Sequence, residues 1–260
     1  MKITKYQIST SKINHSLSIA CVSDTHARKC DKVIDALTEI SPDIILLAGD
    51  ILEVSNAFMK KKNQRALQFL TRVSEIAPVY YCFGNHEIYY SHTRKEINRI
   101  PNDEMESKNI NKVKSLGIKI VNDAFERVNL TNNDEVLIGG LVCGRDMNPA
   151  LNVSEPDTTF LELYDNEESF KILLCHYPHY YEKYLKNTSF DLILAGHAHG
   201  GQWRLFDQGI YSPHQGLFPK YTSGIYDDRF IISRGAANSS RPIPRIFNPT
   251  EVLNIVVYPE

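Results

Sequence analysis

The 260-residue sequence has no run of about 20 apolar residues, so no segment reads as a membrane-spanning helix. Its opening stretch, MKITKYQISTSKINHSLSIACVSDT, breaks its apolar positions with Lys, Thr, Ser and Asn and lacks the continuous apolar region of a secretory signal. An excess of one charge is also missing. With 29 basic and 31 acidic residues the net charge is −2, which supplies no broad positive field for a nucleic acid polymer or an anionic membrane. The expected address is the cytoplasm, with peripheral membrane association left open. Cysteine is scarce: five residues, an odd number, at 21, 30, 82, 143 and 175, with no CxxC pair, which argues against a disulfide framework or a thiolate zinc clamp. Cys21, Cys82 and Cys175 lie in apolar runs and read as small core hydrophobes, because an apolar setting raises a thiol pKa and disfavours a catalytic thiolate. Internal repeats, low-complexity tracts and linkers are absent as well, so one domain over residues 1–260 is expected.

What is present is a hydrophobic content of 42%, enough for a sizeable core, arranged as strands alternating with helices. LSIACVS (17–23), DIILLAGD (43–50) and VYYCFGN (79–85) read as buried strands. Between them, DKVIDALTEI (31–40) and QRALQFLTRVSEI (64–76) carry apolar residues at helical spacing and are stopped by Pro42 and Pro78. The charge run KKKNQR (60–65) reads as the solvated start of the second helix, with a phosphate-binding patch as the alternative. After Asn109 the texture shifts to IKIVND, AFERVNL and EVLIGGLVCG, shorter strands with tight turns and antiparallel character. Residues 144–169 read as a long surface excursion. FKILLCHYP and FDLILAGHA resume buried strands around a helical HYYEKYLKN, and RFIISRG and EVLNIVVY close the chain as strands.

Five of the buried-type strands end in metal-ligand chemistry: VSDTH (Asp24, His26), AGD (Asp50), FGNHE (Asn85, His86), LCH (His176) and AGHAH (His197, His199). In open α/β sheets ligands gather beyond the carboxyl ends of strands, so these residues are expected to meet. Glycines before Asp50, Asn85 and His197 fit the turns that aim each side chain inward. Any one strand-end His or Asp is more often structural, but five of nine histidines fall in these segments. Two Asp, one Asn and several His offer oxygen and nitrogen donors without thiolate, a set suited to Mn, Fe or Zn. His15, His92, His179 and His214 lack this context and read as surface residues.

In this order the motifs D-x-H, GD, GNHE, an isolated His and GHxH resemble the calcineurin-like metallophosphoesterase superfamily, over residues 24–199. GHAHGGQ followed by SRG is similar to a bacterial branch that carries HGGQ. The resemblance implies a four-layer α/β/β/α sandwich with two central mixed sheets and a dinuclear metal site at their edge. It implies that Asp24, His26, Asp50 and His199 hold one ion, and that Asp50, Asn85, His176 and His197 hold the other, with Asp50 bridging. His86 would be the non-ligand proton donor, and with Asn85 and Asp24 it makes up the catalytic set. Its carboxylate partner would be Asp24 or Glu87. The implied reaction is hydrolysis of a small phosphomonoester or phosphodiester by in-line attack of a metal-bridging hydroxide. A pyrophosphate hydrolase acting on a nucleotide-linked lipid, such as a UDP-diacylglucosamine-type substrate, is the second reading, and a catalytically silent scaffold the third. The branch commonly follows GGQ with Arg and then Pro. Here GGQWRLFDQG keeps Arg204 but continues with Phe206-Asp207, so the substrate rim departs from the branch. Trp203, Phe206, Phe218 and Tyr221 are candidate rim residues for an acyl chain or a base.

Overall fold

A computed structural model describes residues 1–53, 60–87, 104–130, 133–143, 155–213, 215–238 and 244–260. The first half contributes β1 (Lys2–Thr10), β2 (Leu17–Val22), α1 (Asp31–Ile40), β3 (Ile44–Ala48), α2 (Lys60–Ser74), β4 (Val79–Cys82), α3 (Glu104–Ser115) and β5 (Lys119–Ile120). The second contributes β6 (Ala124–Asn129), β7 (Glu135–Leu141), α4 (Thr158–Asp165), β8 (Phe170–Cys175) and β9 (Leu192–Ala195). Two short hairpins follow, β10 (Arg204–Leu205) with β11 (Gln208–Gly209) and β12 (Tyr211–Ser212) with β13 (Gly216–Leu217). The chain ends with β14 (Gly224–Tyr226), β15 (Phe230–Ile232) and β16 (Glu251–Pro259).

Among the described residues two mixed six-stranded sheets form, ordered β1-β16-β2-β3-β4-β5 and β14-β15-β9-β8-β7-β6. The strands β2 to β5 run parallel in one, and β15, β9, β8 and β7 in the other. Three apolar clusters define the layers. Ile19, Cys21, Leu46, Ile172 and Leu194 belong to the cluster between the sheets. Val33, Leu37, Leu70 and Val113 pack α1, α2 and α3 on the outer face of the first sheet. Phe160, Tyr164 and Tyr181 cover the second sheet. This is the α/β/β/α sandwich, and the apolar runs in β3, β8 and β9 follow from burial on both faces.

The helix expected over 64–76 begins earlier, at Lys60, so the charge run lies within its first turns, where Asn63 is buried and Arg65 exposed. Residues 144–154 of the expected surface excursion lie outside the described residues, but α4 occupies its second half. The Asp157 side chain caps that helix, accepting from Thr159 N–H at 2.9 Å, while Phe160, Leu161 and Tyr164 form its buried face. The stretch expected as helix after His179 is instead a 3₁₀ turn (Pro178–Tyr180) running into a π turn (Tyr181–Leu185). Strand β1 had no counterpart in the sequence reading. It is an edge strand in which Tyr6 and Ile8 alternate with exposed Lys5, Gln7 and Ser9 and pack between the sheets, while Ile3 packs on the outer face, and it is fixed by pairing with the distant β16.

Candidate functional site

The parallel strands of both sheets deliver their carboxyl ends to one edge of the sandwich. Asp24 and His26 follow β2, Asp50 follows β3, Asn85 and His86 follow β4, His176 follows β8, and His197 and His199 follow β9. Backbone conformation aims the side chains. Asp24, His26, Asp50, His197 and His199 all hold positive φ, between 47° and 65°, in the left-handed region. Each such residue costs about 1–3 kcal/mol and persists only where the surroundings impose it, so their concentration here marks a functional site. Close approach is possible because Gly84 has no side chain: a Cβ there would lie 2.4 Å from Asp50 Oδ1 and 2.9 Å from the His176 ring.

The donors converge as expected. His176 Nε2 lies 3.2 Å from Asp50 Oδ2, and His26 Nε2 lies 4.0 Å from the same oxygen. His199 Nε2 lies 3.5 Å from Asp24 Oδ1 and 3.1 Å from His26 Nε2. Three clusters, Asp24–His26–His199, His26–Asp50–His86 and Asp50–His176–His197, each keep their ligand atoms within 4.8 Å of one another. Asn85 Oδ1 is buried with no hydrogen-bond partner among the described residues, an orphaned acceptor that a cation would satisfy. All seven sequence-predicted ligands and His86 are therefore brought to one place.

Electrostatics within the cluster are strongly perturbed. Burial would raise the Asp50 carboxyl pKa, but His176, His86 and His26 hold it well below the usual carboxylate range. Burial pushes His176 down, yet Asp50 and Asp24 outweigh it and bring its pKa to about 10. Burial lowers His199 to about 3, against the Asp24 carboxylate and with the neighbouring Arg245 cation acting in the same direction as burial. A protonated His176 must shed its Nε2 proton to ligate a cation. Titrating metal-free protein with Mn²⁺ at pH 7 should therefore release at least one proton, and apparent affinity should rise as pH approaches the His176 pKa. Calorimetry in buffers of different ionisation enthalpy reads this directly, and a buffer-independent heat would remove His176 from the ligand set.

The outer contacts were not fully legible in sequence. Glu53 is the carboxylate partner of His86: Oε2 lies 2.8 Å from His86 Nδ1, while Oε1 lies 3.2 Å from His26 Nδ1. This corrects the expectation of Asp24 or Glu87. Glu87 instead accepts from the backbone N–H groups of Asp50, Ile51, Leu52 and Gly84 at 2.6–3.0 Å, and from the Tyr81 hydroxyl, tying the β3 and β4 loops together. Glu53 is itself held by α2, where Asn63 bonds its N–H at 2.9 Å and its C=O at 2.8 Å. His176 Nδ1 bonds the Ala48 carbonyl at 2.7 Å, which leaves Nε2 facing the site. Arg245, also missed, donates to His199 Nδ1 at 3.1 Å, so a neutral His199 here carries its hydrogen on Nε2, and holding a cation through Nε2 would need the other tautomer, with the hydrogen on Nδ1 and the Arg245 contact given up.

His86 sits at the mouth, its Nε2 3.9 Å from Asp50 Oδ2 and its backbone N–H donating to Asp50 Oδ1 at 2.9 Å. Burial acts to lower its pKa, but Asp50 and Glu53 prevail and raise it to about 9. Of the remaining histidines, His15 is exposed beside Asp134, and His92 and His214 lie outside the described residues. His179 corrects the surface reading. It is half-buried, its ring centroid 4.7 Å from Tyr177 and 6.4 Å from His197. Among the expected rim residues Trp203, Phe206 and Phe218 are exposed, whereas Tyr221 is buried against Tyr181 and Phe230 and is a packing residue.

A family model described as calcineurin-like phosphoesterase matches residues 17–201. The chain is similar to an uncharacterised metallophosphoesterase of Campylobacter jejuni, with 25% identity over 97% of this chain and 62% of that protein. A Helicobacter pylori metallophosphoesterase is 24% identical over 100% of this chain and 64% of its own length. Phosphodiesterase YaeI of Escherichia coli is 29% identical over 64% of this chain and 52% of its own. The chain thus spans less than two thirds of the length of these relatives. Among solved structures, phosphopantetheinyl hydrolase from Mycobacterium tuberculosis aligns at 12% identity and TM-score 0.47, covering 85% of this chain and 89% of that one.

Proposed function

The chain belongs to the calcineurin-like phosphoesterase family, a family of metal-dependent hydrolases, and from that premise we propose that it cleaves a small-molecule phosphomonoester or phosphodiester using two divalent cations. The observation that carries the reading is the donor set itself: two carboxylates, four imidazoles and the orphaned Asn85 Oδ1 on five strand ends. Asp24, His26, Asp50 and His199 would hold one cation, and Asp50, Asn85, His176 and His197 the other. Mn, Fe and Zn all suit this set. When bound, the pair supplies Lewis-acid activation of water and neutralises charge on the phosphoryl oxygens.

The chain's own residues do the rest. Asp50 presents one oxygen to the imidazoles of His176 and His26 and uses the other to fix the His86 backbone. Glu53 accepts from His86 Nδ1, so the hydrogen on Nε2 points toward the place where a leaving oxygen departs. Bound cations would depress the His86 pKa, and the Glu53 carboxylate counters them. A silent scaffold is disfavoured because every ligand and the proton donor are retained.

A specific observation favours the second reading, a pyrophosphate hydrolase on a nucleotide-linked lipid. The loops after His199 expose large apolar side chains, with Phe206 at 91%, Phe247 at 84%, Leu217 at 69% and Phe218 at 66% accessibility. Apolar side chains exposed on these loops fit an acyl chain. Assays of metal-reconstituted protein against aryl and alkyl phosphates, a phosphodiester and a nucleoside diphosphate-linked lipid decide between the readings. Hydrolysis of the esters supports the first, selective cleavage of the lipid-linked diphosphate supports the second, and no turnover with any metal overturns both.

A further inference from the structure

Across the donor cluster runs a chain of three hydrogen bonds with a cation at one end and a carboxylate at the other. Arg245 Nη2 lies 3.1 Å from His199 Nδ1, His199 Nε2 lies 3.1 Å from His26 Nε2, and His26 Nδ1 lies 3.2 Å from Glu53 Oε1. A guanidinium only donates and an ionised carboxylate only accepts. With both rings neutral, one arrangement satisfies all three contacts. His199 accepts on Nδ1 and donates from Nε2, and His26 accepts on Nε2 and donates from Nδ1.

The imidazoles are therefore set differently toward a cation. His26 and His176 each have an acceptor behind the ring, Glu53 at 3.2 Å for one and the Ala48 carbonyl at 2.7 Å for the other. A metal-ligating imidazole needs such a partner, because a hydrogen on Nδ1 leaves the Nε2 lone pair facing the ion. Behind His199 stands a donor instead. Its Nε2, 3.5 Å from Asp24 Oδ1, faces the cluster with a hydrogen on it. For His199 to ligate, the ring must lose that hydrogen and carry one on Nδ1, with no net change in protons, and Nδ1–H then opposes the Arg245 N–H. Charge acts in the same sense. Gly235, at φ +80°, lets Arg245 and Asp24 lie side by side, since a Cβ there would meet Asp24 Cβ at 2.8 Å and Arg245 Nη2 at 3.3 Å. A cation held by Asp24 is thus repelled by the guanidinium. Arg245 can yield without loss of fold, because its other bonds go to the backbone carbonyls of His199 and Ala237.

We infer that Arg245 is a positioning residue that acts through His199 to lower the cation affinity of the Asp24–His26–His199 site, an inference that rests on the metal-dependent reading of the cluster. Loading this site requires the Arg245–His199 contact to open. Long-range ¹⁵N–¹H spectra of the imidazole rings test it on the full chain, assigned with His199→Ala and His176→Ala, during a titration with chelator-buffered Zn²⁺. In the metal-free wild type His199 should carry its hydrogen on Nε2, and Zn²⁺ should bring it to Nδ1. Arg245→Gln offers an amide oxygen that accepts from Nδ1–H. His199 should then convert at a free Zn²⁺ concentration lower by about tenfold or more, the worth of one charge-assisted hydrogen bond, while the His176 signals move far less. Lys114→Gln on α3 removes the same charge from an exposed position and should leave both conversions in place.

The tautomer in the metal-free wild type needs no variant to read, and a His199 that already carries its hydrogen on Nδ1 overturns the role given to Arg245. So does an Arg245→Gln chain whose His199 converts at the same or a higher free Zn²⁺ concentration, which would make Arg245 a prop that holds His199 ready to ligate. Both of those results leave the metal-dependent reading intact. A wild-type chain in which no ring responds to Zn²⁺ overturns that reading and the role of Arg245 together.

Discussion

Asp50→Ala is expected to strip the cations from the protein and bring turnover to background, the largest effect of any single substitution in the chain. Asp50 Oδ2 lies 3.2 Å from His176 Nε2 and 4.0 Å from His26 Nε2, so this carboxylate is shared by imidazoles from both sheets. Its loss removes the negative charge that brings His176 and His86 together and leaves buried imidazoles facing one another. Elemental analysis after reconstitution reads the outcome, alongside kcat/KM on an aryl phosphate. Fold should survive, because the apolar cluster between the sheets contains none of the site residues, and the far-UV dichroism should match wild type. Asp50→Asn refines the test. It keeps an oxygen to accept the His86 N–H but not the bridging charge, so it too should lose metal. An Asp50→Ala protein that retains two ions per chain would break the proposed ligand division.

The depth to which this site could be read in the sequence follows from where its residues sit. Metal-ligand side chains at strand ends are visible because a buried strand is a short apolar run with a sharp boundary, and the first polar residue after it stands out. All five ends were found that way, and so was α1, whose bounds at Asp31 and Ile40 match the expected ones. Glu53 was invisible for the opposite reason. It lies three residues beyond Asp50 in a loop with no period, and only the fold brings it to His26 and His86. Arg245 reaches His199 across 46 residues of chain, a contact that no spacing rule predicts. The hairpins from β10 to β13 have strands of two residues, too short for alternation to register, and their exposed phenylalanines contradict the polar pattern expected of turns. The positive φ values at five of the ligands were equally hidden, since a left-handed backbone is read in a sequence first from glycine and none of the five is one.

His86→Ala is expected to leave the metals bound while lowering turnover by roughly 10²–10⁴, the range for loss of a general acid. The separation from Asp50→Ala is structural: His86 is at the mouth and hydrogen-bonded to Glu53. Leaving groups then expose what the residue does. An alkoxide needs a proton in the transition state and a nitrophenolate largely does not, so hydrolysis of an alkyl phosphate should fall far more than that of p-nitrophenyl phosphate. Equal losses on both substrates would instead assign His86 to binding the phosphoryl oxygens. The pH profile adds a sign. His86 works in its protonated form, and Asp50 and Glu53 raise its pKa against the effect of burial to about 9 in the metal-free site, so activity toward alkyl esters should be lost as pH rises through the His86 pKa, which bound cations bring lower than that. Glu53→Gln removes one of the two carboxylates that hold the proton there. Its alkaline limb should therefore move to lower pH, with metal content near wild type because His26 keeps its Nε2. A limb that stays in place in Glu53→Gln would mean that Asp50 alone sets the proton affinity of His86, and that the 2.8 Å contact with Glu53 orients the ring without tuning it.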